Sequence, residues 1–187
     1  PLFGEIDFGV LYPLLIIPIG FIGATNMVNL LEGFNGIATG MGIVYTGMLG
    51  LYAYAHGRNI AALICLVTFG SLMAFYLFNR YPAKILPGDS LTYLLGAVLA
   101  LVAILGNMEK AVIIVSIPFF IEFLLKLRGN LKKQTYGYYD RGFVRSKYKK
   151  VYSIPHLLTR TGRFTERQVV WFTISVALLF SSLIWFI

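Results

Sequence analysis

Residues 26–36 have the sequence NMVNLLEGFNG, a polar segment that separates two apolar runs of the chain. Its polar side chains are those of Asn26, Asn29, Glu32 and Asn35. Asn26 and Asn29 are three residues apart and so share one face of a helix, which can end at Gly33. Because polar side chains are costly in or near a bilayer, this cluster indicates a functional site.

The composition is that of a membrane protein. Hydrophobic residues make up 58% of the 187-residue chain and charged residues 13%, whereas soluble domains typically have about 45–50% and about 25%. The mean hydropathy is +0.76. A single cysteine, Cys65, excludes an internal disulfide and a cysteine-rich metal site. No pattern of a cleavable signal peptide is visible. Because the chain begins with Pro1 rather than Met, we expect a fragment or a chain whose front part is absent.

The apolar runs predict an all-α, polytopic membrane bundle of six transmembrane helices that forms a single domain over residues 1–187. The runs are Phe8–Leu31, Ile37–Ala55, Ile60–Phe78, Leu91–Leu105, Ala111–Leu127 and Val169–Ile187. A helix needs about 20 residues to cross the hydrocarbon core of a bilayer. Pro118 predicts a kink in the fifth run, and small residues in the second and fourth runs predict close helix packing.

The basic residues predict the orientation of the bundle. All of the 16 Lys and Arg except Arg58 and Lys110 lie in or beside the third and fifth connections between runs. Because cytoplasmic loops carry an excess of Lys and Arg, these connections and the first should be cytoplasmic. The placement explains the net charge of +8 without a nucleic-acid partner. It also brings residues 26–36, residues 79–89 and the basic loop 129–168 to one face.

Several of these residues have two interpretations from the sequence alone. Asp89 follows Pro87-Gly88 and is either the N-cap of a membrane helix or a magnesium ligand. Paired with the Asn29 amide, it would leave a site of low negative charge, which suits a diphosphate. The asparagines of residues 26–36 are alternatively helix caps and turn formers. Glu32 is alternatively a solvated charge at the rim.

The basic loop 129–168 is either a solvated tether or a phosphate-binding lid. Near its end, Thr165 precedes a further apolar run and predicts the start of a helix. His156 is either structural or part of the site. Glu122 and Lys126 are four residues apart and are predicted to form a structural pair on one helix face.

Together, three segments resemble the polyprenyl-phosphate N-acetylhexosamine-1-phosphate transferases, which include the MraY and WecA enzymes and the dolichyl-phosphate GlcNAc-1-phosphate transferase. The segments are Asn26–Gly40, Tyr81–Asp89 and Pro155–Val170, in the order of the family. The family fold has ten membrane helices, and the resemblance implies that the six here match the last six. Asn35, where many bacterial members have Asp, is similar to the eukaryotic and archaeal branch.

The resemblance also implies roles for individual residues. Asn29 and Asp89 would bind Mg²⁺, or Mn²⁺ in its place. The implied substrate contacts are Asn26, Glu32, Asn35 and Leu86, with Asn35 at the uracil and Leu86 near the base. The implied catalytic residues, which would meet the diphosphate, are His156, Arg160 and Arg163.

By this resemblance, the protein transfers GlcNAc-1-phosphate from UDP-GlcNAc to a polyprenyl or dolichyl phosphate and releases UMP. This reaction is the first membrane step in the synthesis of lipid-linked glycans. The implied location is a plasma membrane or the endoplasmic reticulum, among membrane lipids, with the active site facing the cytoplasm. A homodimer is compatible with it. The Asp-Asp pair of the family's first half is absent from this chain, so the 187-residue chain alone should not catalyse the reaction.

Two other functions are compatible with the same polar residues. A transporter of an anionic or nucleotide-sugar substrate would use them as a permeation site, and a membrane scaffold would recruit partners through the basic loop. A transporter predicts polar residues near the bilayer midplane. Here they are expected to crowd one face, which favours the enzyme.

Overall fold

The computed structural model describes residues 8–187, so residues 1–7 of the predicted domain lie outside it. The protein is predominantly helical, as predicted. The helices are α1 (Ile17–Leu30), α2 (Ile37–Ala55), α3 (Asn59–Asn79), α4 (Gly88–Gly106), α5 (Glu109–Val115), α6 (Ile117–Leu127), α7 (His156–Thr159) and α8 (Glu166–Ser182). A π-helical turn, Tyr12–Ile16, precedes α1, and a 3-10 turn, Leu183–Phe186, follows α8.

Four helical segments of residues 8–187 are long and apolar enough to cross a membrane. They are Tyr12–Leu30, Asn59–Asn79, Gly88–Gly106 and Glu166–Phe186. The other two predicted spans are also helical but differ in character. Helix α2 has 19 residues, but glycines, threonines and tyrosines make it less apolar. The fifth run is divided into helices of 7 and 11 residues.

The division of the fifth run confirms the predicted kink. Helix α5 ends at Val115, and Pro118 occupies the first turn of α6. Proline lacks a backbone N–H and its ring crowds the preceding turn, so it breaks a continuous helix but suits the start of a new one.

Helix α2 lies at the centre of the bundle and packs against α3 and α8, while α1 packs against α4. Its glycines bring neighbouring helices close, as predicted: Gly40 faces Ile174 of α8, and Gly42 faces side chains of α3 and α4. At Gly96 of α4 the approach is closer still, because an added Cβ would overlap the backbone of Thr25 in α1. Backbone contact of this kind requires glycine.

The basic loop is folded rather than structureless. Within the described residues it contains two strands, β1 (Tyr138–Asp140) and β2 (Phe143–Arg145), paired as an antiparallel hairpin with Tyr139 opposite Val144. Arg141 and Gly142 form its two-residue turn with φ of 49° and 87°. Positive φ at both turn residues matches the right-handed twist of the strands.

A buried ion pair in α6 anchors both ends of this loop. Glu122 and Lys126 form the predicted pair, with Oε1 and Nζ 3.7 Å apart. Lys126 Nζ also donates to the carbonyl of Lys133 and the hydroxyl of Thr135, each at 2.7 Å. Glu122 Oε2 accepts a hydrogen bond from the Ile154 backbone N–H at 2.8 Å. The pair therefore fixes the entry and the exit of the loop on one helix.

Candidate functional site

Asn29 and Asp89 lie at the same end of the α1–α4 pair, and Thr92 joins them. The Thr92 hydroxyl contacts Asn29 Oδ1 at 2.8 Å and the Asp89 carbonyl at 3.2 Å. Asn29 is in the last turn of α1, and Asp89 is in the first turn of α4. The structure thus brings the Asn29 amide and the backbone at Asp89 to the same end of the bundle, across 60 residues of sequence.

The interpretation of Asp89 as an N-cap is wrong. Helix α4 begins at Gly88, and Pro87 occupies the N-cap position. Gly88 has φ of 59°, a value that glycine adopts without strain. The Asp89 side chain is exposed, and no salt bridge pairs it within residues 8–187. Its carboxylate is therefore free of a capping role and open to an ion.

Asn29 and Asp89 fit Mg²⁺ as a partial ligand set. The part of the chain that the structure describes contains no group of three His, Cys, Asp or Glu side chains able to hold a metal ion. Magnesium commonly takes one or two carboxylates and fills its remaining positions with water and substrate phosphates. One carboxylate and one amide oxygen suit such an ion and do not suit an ion that needs a full cage of protein ligands.

Glu32 is not the solvated rim charge that the sequence allowed. Its Oε2 is buried and has no hydrogen-bond partner among residues 8–187. Burial raises the pKa of Glu32 to about 7, although a hydrogen bond from the Ala38 backbone lowers it in part. A substantial fraction of Glu32 is therefore uncharged near neutral pH.

The other two asparagines of residues 26–36 differ in their surroundings. Asn26 is exposed, and its Nδ2 donates to the Ile22 carbonyl of its own helix at 2.8 Å. Its amide nitrogen is thus used within α1, and its role as a substrate contact stays a prediction. The backbone N–H of Asn35 donates to Glu166 Oε1 at 2.8 Å, and Gly36 follows with φ of 84°.

Leu86 lies in the connection between α3 and α4, where its side chain is 71% exposed. Asn79 holds this connection in place. The Asn79 side chain is fully buried, accepts a hydrogen bond from Thr39 at 2.6 Å and donates one to the Ile85 carbonyl at 2.9 Å. A buried amide with both ends bonded fixes the connection against α2.

His156 is buried, and both ring nitrogens have backbone partners. Nδ1 accepts from the Tyr152 N–H and Nε2 donates to the Gln134 carbonyl, both at 3.2 Å. Burial, and then the charge of Lys126, lower the pKa of His156 below its usual value. This arrangement matches the structural interpretation, and the structure does not present the imidazole to a ligand.

Arg160 and Arg163 are exposed near the end of the loop. Arg160 lines a cleft of about 390 Å³ whose other basic residues are Arg145, Lys147 and Lys149. His156 and Arg163 do not line this cleft. The three residues predicted as catalytic therefore occupy different surroundings, one inside the protein and two at the surface.

Glu166 is a residue of the site that the sequence did not single out. Its Oε1 accepts from Asn35 N, and its Oε2 accepts from the Tyr139 hydroxyl at 2.5 Å. Thr165 caps α8 through a capping box with Gln168, which confirms the predicted helix start. That pattern places Glu166 at the start of a helix. It does not indicate that Asn35 and Tyr139, which are 131 and 27 residues away in sequence, are its partners.

The apolar helices and the polar residues gathered at one end define a polytopic helical membrane protein with a candidate site for a charged ligand at that end. Comparison with known proteins is specific about its class. Residues 1–107 match the sequence model of a family described as Glycosyl transferase family 4. The chain therefore belongs to this family.

Two relatives carry the name UDP-N-acetylglucosamine–dolichyl-phosphate N-acetylglucosaminephosphotransferase. The protein from Saccharolobus solfataricus is 41% identical over 172 residues, which are 91% of this chain and 53% of the relative. The one from Sulfolobus acidocaldarius is 32% identical over 186 residues, 98% of this chain and 56% of the relative. A Clostridium perfringens phospho-N-acetylmuramoyl-pentapeptide-transferase is 36% identical over 121 residues, 65% of this chain and 38% of the relative.

These relatives agree with the resemblance drawn from the sequence. The chain spans about half the length of the first two, with 53% and 56% covered. The recognised family is thus confirmed.

Proposed function

We propose that this chain is part of an enzyme that transfers GlcNAc-1-phosphate from UDP-GlcNAc to a polyprenyl or dolichyl phosphate and releases UMP. The two relatives named for dolichyl phosphate support these substrates. The reaction would begin the assembly of lipid-linked glycans, for N-glycosylation or a cell-wall polymer.

The observation that carries the proposal is the Thr92 hydroxyl, which contacts Asn29 Oδ1 and the backbone of Asp89. Thr92 is fully buried, so its hydroxyl holds the Asn29 amide beside the first turn of α4 by an ordered contact. Hydrogen bonds from such neighbours fix the orientation of metal-binding side chains.

Asn29 and Asp89 would hold Mg²⁺, which when bound supplies charge stabilisation at the diphosphate and at the departing UMP. Arg160 and Arg163 are the proposed phosphate contacts, because guanidinium groups bind phosphate oxygens in a fixed fork. Asn35 and Leu86 would contact the base. Phosphoryl transfer depends mainly on positioning and charge neutralisation, which this set of residues can provide.

The proposal includes a topology. The helices would cross the membrane six times, and these crossings would correspond to the last six of the family's ten. Helix α2 would be a crossing of lower hydropathy, and α5 and α6 together would form a crossing with a break in the helix. The end with Asn29 and Asp89 would face the cytoplasm, because the basic loop lies at that end and cytoplasmic loops are rich in Lys and Arg. Activity would also need the residues that correspond to the remaining half of the relatives.

The test is an assay of UMP release by the full-length protein in detergent, with UDP-GlcNAc, dolichyl phosphate and Mg²⁺. We expect activity that EDTA abolishes and Mg²⁺ restores, and no turnover from the 187-residue chain alone. Asn29→Ala should abolish most of the activity. Asn59→Ala, at an exposed asparagine that begins α3, is the matched control.

Three results would contradict the proposal. The first is turnover by the Asn29→Ala variant equal to wild type. The second is full activity without a divalent cation. The third is uptake of UDP-GlcNAc into proteoliposomes with no UMP formed, which would support a transporter instead.

A further inference from the structure

Glu166 joins three separate parts of the chain at one carboxylate. It is the first residue of α8 and is only 7% exposed. One oxygen accepts the Asn35 N–H at 2.8 Å and the other accepts the Tyr139 hydroxyl at 2.5 Å. Its partners thus come from the turn between α1 and α2 and from strand β1.

The contacts of the Glu166 side chain are hydrogen bonds rather than ion pairs. No Lys or Arg forms a salt bridge with it among residues 8–187. Instead, it lies in the first turn of α8, where the helix dipole favours negative charge. Hydrogen bonds to an ionised acceptor are stronger than neutral ones, so each oxygen fixes its donor firmly.

Both partners of Glu166 bear on the candidate nucleotide site. The backbone N–H of Asn35 donates to Glu166. Gly36, the next residue, has φ of 84° and turns the chain into α2. The Tyr139 hydroxyl also interacts with Tyr81, in the connection that leads to Asp89. Partial burial and the bond to Glu166 raise the pKa of Tyr139 well above its usual range, so the phenol keeps the proton that it donates.

We propose that Glu166 is a positioning residue that holds Asn35 in the conformation that receives the base of the nucleotide, and that Tyr139 couples the β1–β2 hairpin to the same turn. The inference rests on the proposed function. Glu166 would act through Asn35 and the hairpin rather than by touching the reacting phosphates. Its loss should therefore weaken nucleotide binding more than it slows the chemical step.

The experiment measures KM for UDP-GlcNAc and kcat for UMP release in the full-length protein, with the Kd of UMP measured directly. We expect Glu166→Ala to raise KM and Kd about tenfold, the usual size of losing a hydrogen bond to a charged group, with kcat changed less than about threefold. Glu166→Gln retains an acceptor for Asn35 N and should stay within about threefold of wild type. Tyr139→Phe should raise KM by an intermediate factor.

A matched control is Glu109→Ala, which removes the acid that begins α5 at the other end of α4. A merely structural role for Glu166 would reduce the amount of active enzyme, so kcat would fall while KM stayed unchanged. That pattern in Glu166→Ala would overturn the inference. If Glu166→Ala fails to fold, an unchanged KM and UMP affinity in Tyr139→Phe would overturn it equally.

The two hypotheses fail in different ways. A wild-type protein that releases no UMP refutes the proposed function. An active wild type whose Glu166→Ala and Tyr139→Phe variants keep the wild-type KM refutes only the role of Glu166.

Discussion

The α1–α4 end and the basic loop meet at one end of the bundle, yet Asn29 and Asp89 of the first differ in exposure from His156 of the loop and Glu166 just after it. Asp89 is exposed and Asn29 is only partly covered. In the loop and the helix that follows it, His156 and Glu166 are 0% and 7% exposed, and their polar atoms are bonded within the protein. The difference separates groups that are open to a ligand from groups that hold the structure around it.

The largest expected effect is at Asp89, the exposed residue of this comparison. If Asp89 binds Mg²⁺ as proposed, Asp89→Asn in the full-length protein should lower kcat for UMP release by about a thousandfold, because a bound metal would supply several kcal/mol of charge stabilisation. The measurement is steady-state release across a Mg²⁺ titration. Glu109→Gln changes the first-turn acid of α5 and should leave kcat unaltered; equal losses in both variants would remove Asp89 from the site.

The second prediction tests the buried ion pair that anchors the basic loop to α6. Glu122→Ala should lower the free energy of unfolding by about 3 kcal/mol, because it leaves the buried Lys126 without its counter-charge. Thermal and denaturant unfolding in detergent would measure the change.

The exposed pair of Asp140 and Arg145, 2.9 Å apart, provides the contrast for that experiment. Asp140→Ala should cost less than about 1 kcal/mol. Replacing both Glu122 and Lys126 with apolar residues of similar volume should cost less than Glu122→Ala alone. A loss in Glu122→Ala as small as in Asp140→Ala would mean that the pair does not anchor the loop.

A smaller effect is expected at Thr92, the buried residue of α4 whose hydroxyl contacts Asn29. Thr92→Val removes the hydroxyl that orients Asn29 and should weaken the apparent affinity for Mg²⁺ about tenfold, as loss of outer-shell partners does. The concentration of Mg²⁺ at half-maximal activity reports it. Thr68→Val removes a hydroxyl that donates to the Ile64 carbonyl within α3 and should not shift that concentration; a shift of the same size there would make the effect non-specific.

The smallest expected effect is a pH dependence from His156. Its pKa is lowered in the folded protein by burial and by Lys126, so the unfolded chain binds a proton more readily. Stability should therefore be unaffected well above pH 6.5 and should fall as the pH drops below about 6.5. Unfolding midpoints of wild type and His156→Gln, measured between about pH 5 and 8, test this, since Gln does not titrate there.

His56→Gln is the control for that series, because His56 is exposed. We expect the pH profile of His56→Gln to follow wild type and that of His156→Gln to be flatter. A His156→Gln profile as steep as wild type would assign the pH dependence to other groups.

Much of the fold follows from local pattern. The apolar runs gave the helices, Pro118 marked the break between α5 and α6, and Thr165 marked the start of α8. The i, i+4 spacing of Glu122 and Lys126 predicted their pairing. These features depend on residues close in sequence, where propensity and spacing carry the information.

The features that could not be predicted from the sequence depend on contacts between residues far apart in the chain. The burial of His156 results from backbone groups at Gln134 and Tyr152 in a folded loop. Glu166 looked like one acid in a first helical turn, because nothing local identifies Asn35 and Tyr139 as its partners. The position of Asp89 after the turn signal Pro87-Gly88 allows a cap, but Gly88 already belongs to the helix.

The close approach of α4 to α1 at Gly96 has a consequence for any ion that binds near Asn29 and Asp89. Main chain rests against main chain there, so the spacing of the two helices does not depend on side-chain rotamers. The backbones that carry Asn29 and Asp89 are therefore set at a fixed spacing when the protein folds, so a cation that binds there would not have to bring the two helices together.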